Sequence, residues 1–104
     1  MSSAYAVRAA RALEGTTGTF QIVEGKVVSA DIHDGRAFLD FGRDRHKDFK
    51  ITISPEDVVR FRDAGVDPRS YEGLTLRVRG YVDWLGGPEI EASSPQSIEV
   101  VQSH

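Results

Sequence analysis

Cysteine is absent from the 104-residue chain. That excludes disulfides and thiolate metal sites, although it says little about compartment, since many exported proteins also lack cysteine. No apolar run approaches the roughly 20 residues that a membrane-spanning helix needs. No signal-peptide core opens the chain either, because Arg8 and Arg11 interrupt residues 5–13. The chain reads as soluble, and it could be a piece of a longer protein whose parent is exported. A positive surplus is also missing: 13 Lys and Arg against 16 Asp and Glu leave a net charge of −3. Domains that grip nucleic acid tightly are usually basic, so strong non-specific binding is disfavoured, while a local cationic face stays open.

Chemistry-bearing motifs are equally scarce. There is no nucleophile elbow, phosphate loop or zinc pattern. His33, His46 and His104 have no ligand spacing. Asp31, His33 and Asp34 cluster at a turn, where aspartate is favoured for backbone reasons alone, and a weak cation site there is the minor alternative. Glu56 and Asp57 open a helix and are not a catalytic pair. The expectation is a non-catalytic protein with no catalytic residues, no metal and no cofactor.

What the chain does have is alternation. Its length suits one domain, with 39% hydrophobic and 28% charged residues. Residues 74–84 read L-T-L-R-V-R-G-Y-V-D-W. Leu74, Leu76, Val78, Val82 and Trp84 share one parity, while Arg77, Arg79 and Tyr81 share the other, so a strand here has an apolar face and a cationic, aromatic face. Gly80 on the apolar parity relieves crowding or permits a bend.

The remaining elements fall in order. Residues 1–19 read as a linker or frayed leading helix, with an alanine-rich run over 4–13, and not as core. Residues 20–32 form a long first strand whose broken parity places a bulge or bend near Gly25. Asp34-Gly35 is a hairpin turn. Residues 36–41 make a second strand with Ala37, Leu39 and Phe41 inward. A charged loop, G-R-D-R-H-K-D, spans 42–48, and residues 49–53 make a third strand with Phe49, Ile51 and Ile53 inward. Ser54-Pro55-Glu56-Asp57 starts a helix that Gly65 ends. After the 74–84 strand and a Gly86-Gly87 turn, residues 89–92 form a short strand, and residues 98–101 an extended segment that could pair with an edge. Three strands, a helix and two closing strands match a mainly β fold, the five-stranded OB-fold Greek-key barrel with one helix between strands three and four. The domain spans 20–101, with a tail at 102–104.

Several stretches carry a family resemblance. F-Q-I-V-E-G-K-V-V-S-A (20–30), R-A-F-L-D-F-G-R-D (36–44), D-F-K-I-T-I (48–53), E-G-L-T-L-R-V-R-G (72–80), G-P-E-I-E (87–91) and P-Q-S-I-E-V (95–100) resemble an OB-fold domain of bacterial thermonuclease-related (staphylococcal-nuclease-like) proteins. Asp40 stands where that domain tends to have Asn, and Arg45 where it often has Trp. The resemblance implies a bacterial, non-catalytic module associated with a linked nuclease-like domain.

Two sets of residues are candidates for binding single-stranded nucleic acid. If the sheet closes, Arg36, Phe38, Lys50, Thr52, Arg77, Arg79 and Tyr81 share one concave wall, with rings to stack bases and cations to meet phosphates. The plain alternative is solvated strand positions, with Tyr81 resting on an arginine stem. The second set is Arg43, Arg45, His46 and Lys47 in the charged loop, whose alternative is a solvated hairpin tip. Trp84 is expected to pack in the core or at its rim. Glu89 and Glu91 point outward and would repel phosphates. A monomer is expected, with no membrane partner. A protein-interaction module that docks a neighbouring domain is the competing function.

Overall fold

In the computed structural model, which describes residues 7–44 and 46–102, the first described element is an edge strand. Among the described residues nine strand segments and one α-helix follow one another: β1 (Val7–Ala9), β2 (Phe20–Lys26), β3 (Ser29–His33), β4 (Arg36–Asp40), β5 (Lys50–Ile53), α1 (Pro55–Asp63), β6 (Thr75–Tyr81), β7 (Asp83–Trp84), β8 (Pro88–Glu91) and β9 (Ile98–Gln102). They form two sheets, ordered β1-β2-β6-β9 and β3-β4-β5-β8-β7. β2 with β3 is the first OB strand; β4, β5, β6 and β8 are the next four. The parallel pairing of β5 with β8 and the antiparallel pairing of β2 with β6 give the Greek-key order of a partly open OB barrel.

The first strand bends at Val27 and Val28. The Val27 N–H donates to the Leu74 carbonyl on the first sheet's side (2.9 Å), and the Val28 N–H to the Asp40 carbonyl of the second sheet (2.8 Å). Consecutive residues thus belong to different sheets. The bend expected near Gly25 falls two residues beyond it; a Cβ at Gly25 itself would lie 2.8 Å from the Phe41 ring, so that glycine makes room for packing while β2 runs on to Lys26. A second corner falls at Val82, between β6 and β7. Gly80 serves close approach: a Cβ there would stand 2.6 Å from Ile90 Cγ2.

Other elements follow local rules. Asp34 (φ 51°) and Gly35 (φ 82°) form the two-residue turn that pairs His33 with Arg36. The Ser54 side chain accepts the Asp57 N–H, Pro55 opens α1, and Gly65 (φ 83°) follows its end. Val58 and Phe61 of α1 join Val23, Leu39, Ile51, Ile53, Leu76, Val78 and Ile90 in one core. The final segment pairs with β6, whose other side holds β2.

The leading residues depart from expectation. The described part of the alanine-rich run is β1, parallel to β2, followed by a turn, and not a helix. Leu13 is 2% exposed and part of the core, and Thr16 is buried. The Gly18 N–H donates to the Val82 carbonyl at 2.7 Å, and the Val82 N–H to the Thr19 carbonyl at 3.0 Å. Residues 7–19 therefore belong to the barrel. The tail residues 103–104 lie outside the described residues. No helix among the described residues is long and apolar enough to cross a membrane. Leu13→Ala is expected to lower stability by about 2–5 kcal/mol, the usual cost of truncating a core leucine. Urea denaturation measures it, and an unchanged midpoint would contradict the core role of the leading segment.

Candidate nucleic-acid interface

Strand alternation puts two rows of side chains, polar except for Phe38, on the outer face of the second sheet. Pairing across β3, β4, β5 and β8 aligns Asp31, Phe38, Thr52 and Glu91 in one row. It aligns Ser29, Asp40, Lys50 and Glu89 in the next, and β7 adds Asp83 opposite Glu89. Between them is a cavity of about 340 Å³ lined by Asp31, His33, Phe38, Asp40 and Lys50. The Phe38 and His33 rings stand 6.2 Å apart, tilted by 54°. Arg36, opposite His33, is half-buried at the cavity's margin. Among the described residues its guanidinium forms no ion pair.

This face is not uniformly cationic. Thr52 Oγ1 donates to Glu89 Oε2 (2.9 Å), and Lys50 Nζ lies 3.8 Å from Glu89 Oε1 while donating to the Leu85 carbonyl (3.3 Å). Lys50 is thus held along the sheet by a buried acid. Ser29 Oγ donates to Asp40 Oδ2 (3.2 Å). Asp40, in the trough's lining, is 5% exposed.

Arg77, Arg79 and Tyr81 are elsewhere. They lie on the outer face of β6 in the first sheet, across the common core from β4 and β5. Two sheets packed by their inner faces direct their outer faces away from one another. The single concave wall expected from the alternation therefore does not form. Register adds a second difference. Arg77 faces Glu24 on β2 and Glu99 on β9. Its Nε and Nη2 both donate to Glu24 Oε1, at 3.1 and 2.7 Å. That hydrogen bond holds the guanidinium pKa above its ordinary value. Arg79 Nη2 is 3.8 Å from Glu99 Oε1. Tyr81 is 66% exposed and meets Phe20 edge-on at 5.4 Å. Its ring partner is that phenyl group.

The charged loop before β5 is organised by its own acids. Asp48 Oδ2 accepts the Asp44 N–H and Asp44 Oδ1 accepts the His46 N–H, both at 2.9 Å. Arg43 and Lys47 are exposed, and among the described residues neither forms an ion pair. Arg45 lies outside the described residues. Of the two expected placements for Trp84, core or rim, the ring takes the rim and is 46% exposed. β7 is two residues long at the end of the barrel, so Trp84 borders the leading segment and the charged loop rather than the middle of the core. Trp84 lines a second cavity, of about 460 Å³, together with Arg11, Leu13, Lys47 and Phe49. Parity alone could not reveal this exposure. Among the described residues no three His, Asp or Glu side chains gather closely enough to hold a metal ion, the Asp31, His33 and Asp34 trio included.

No protein-family model and no curated protein matches the chain. Solved structures do. An aspartyl-tRNA synthetase from Leishmania major Friedlin superposes with a TM-score of 0.72 at 11% identity, covering 100% of this chain and 22% of that one. An asparaginyl-tRNA synthetase from Pyrococcus horikoshii gives 0.57 at 20% identity, covering 86% and 20%. The Stn1-Ten1 complex of S. pombe gives 0.54 at 18%, covering 81% and 59%. The chain thus spans about a fifth of each synthetase. At these identities the similarity is one of fold, and it agrees with the OB topology traced above.

A double-mutant cycle on Glu24→Gln and Arg77→Ala is expected to show a favourable coupling, small as for solvent-exposed pairs generally. Strictly additive effects on stability would mean that Arg77 is not held by Glu24.

Proposed function

We propose that this chain is a non-catalytic OB-fold module that binds single-stranded nucleic acid weakly on the outer face of its second sheet. The observation that carries this is the trough of about 340 Å³ on the face of OB strands two and three, with Phe38 as a wall. That face is the one on which OB folds take oligonucleotides. A base stacks on Phe38, and the backbone runs along Arg36, Arg43 and Lys47. Lys50 contributes less, because Glu89 already neutralises it. Arg77, Arg79 and Tyr81 form a separate wall that this path does not need.

The tRNA synthetases among the similar structures support a polynucleotide ligand. The thermonuclease-type stretches over 20–53 and 72–100 support a role beside a linked nuclease-like domain. Docking of a protein is the second reading. It is favoured by β9, an edge strand with Val100 46% and Val101 41% exposed, and by the similarity to a subunit of a two-protein complex.

Anisotropy of a labelled single-stranded DNA of about 15 nucleotides, spanning one OB site, tests the proposal. Binding is expected at about 20 mM salt and should fall steeply by about 150 mM. Phe38→Ala should weaken it about tenfold, as loss of one stacked base does. Arg36→Ala should reduce the salt slope by about one, and Arg77→Ala should leave affinity unchanged. No binding at low salt would overturn the nucleic-acid reading and leave protein docking.

A further inference from the structure

Trp84 is the chain's single tryptophan, and nearly half of its surface is exposed at the barrel's end. Leu85 beside it is 68% exposed. The cavity along Trp84, about 460 Å³, falls within the roughly 300–1,000 Å³ of small-ligand sites. Its walls come from three separate parts of the chain: Arg11 from the leading segment, Lys47 from the charged loop, and the indole from β7.

Two contacts fix these parts together. A Cβ on Gly87 would stand 3.2 Å from the Lys47 backbone, so the turn after Trp84 and the loop carrying Lys47 touch main chain to main chain. Leu13, two residues from Arg11, is anchored in the core. The acids lining the cavity are Glu14 and Asp48, and Asp48 is engaged with the Asp44 N–H. Arg11 and Lys47 are exposed, and among the described residues neither is ion-paired.

Residues of this cavity adjoin residues of the trough along the chain, Phe49 next to Lys50. Lys50, in the trough's wall, donates to the carbonyl of Leu85, next to Trp84. Lys47, Asp48 and Phe49 lead along the chain to Lys50. We infer that the Trp84 cavity is a second nucleotide subsite, where a base stacks on the indole and its flanking phosphates meet Arg11 and Lys47. It extends the single-strand path proposed above and rests on it. An indole face accepts any base, and two mobile cations suit a backbone better than a fixed small anion. Aromatic platforms at both ends of the Lys50 link would make affinity grow with strand length.

The lone tryptophan reports on its own occupancy. Oligo-dT of about 15 nucleotides, titrated into the intact chain at low salt, should quench its emission, and added salt should reverse the quenching. By anisotropy, Trp84→Ala should weaken binding about tenfold, with Trp84→Phe losing far less. Arg11→Ala and Lys47→Ala should each lower the salt slope by about one. Circular dichroism checks that the variants fold. If DNA binds and depends on Phe38 while the emission and the Trp84→Ala affinity do not change, the second subsite is wrong and the trough stands. If no DNA binds at all, both fail. An emission that changes with protein concentration in the absence of DNA would assign the patch to a second copy of the chain.

Discussion

The structure depends on a single handover of main-chain hydrogen bonds. At Val27 the backbone still bonds toward β6, and one residue later it bonds to β4. Val27 is fully buried and Val28 is 47% exposed, so the side chains change sides at the same place. One strand thereby serves two sheets, and their inner faces can close over one core. Everything polar follows from this corner. It decides that the outer residues of β4 and β5 look one way and those of β6 the other.

Charge pairing then separates the two outer walls. On the first sheet, register brings glutamates from β2 and β9 beside Arg77 and Arg79, and a neutralised cation contributes little to a phosphate. The second sheet keeps Arg36 at its margin and, in the loop before β5, Arg43 and Lys47, whose neighbouring acids cap backbone N–H groups. A chain of net charge −3 can therefore still present local cations to a single strand.

Much of the fold was legible in the sequence. Period-two alternation located the strands, Asp34-Gly35 the hairpin, and Ser54-Pro55 the helix start. The core positions Leu39, Ile51, Ile53, Leu76, Val78 and Ile90 follow from parity. The site was legible only in part. Alternation tells which side of a strand is polar, but not which sheet the strand joins after a corner. For that reason Phe38 and Tyr81 looked like neighbours. The Arg77–Glu24 pair spans 53 residues, and no local pattern carries that register. Leu13 sits in an alanine-rich stretch without strand periodicity, so its burial is set entirely by the barrel end it fills. Trp84 obeys parity but lies at the end of the barrel, beside the leading segment and the charged loop.

The central claim is that the face of β4 and β5, with the loop before β5, is the binding wall, and that the face of β6 is not. Amide chemical-shift mapping of the isotope-labelled chain with a short single-stranded DNA at low salt tests it most directly. Perturbations are expected at Arg36, Phe38, Arg43, Lys47 and Lys50, with Arg77 and Arg79 unmoved. Shifts concentrated on Arg77, Arg79 and Tyr81, with the Phe38 trough silent, would contradict it.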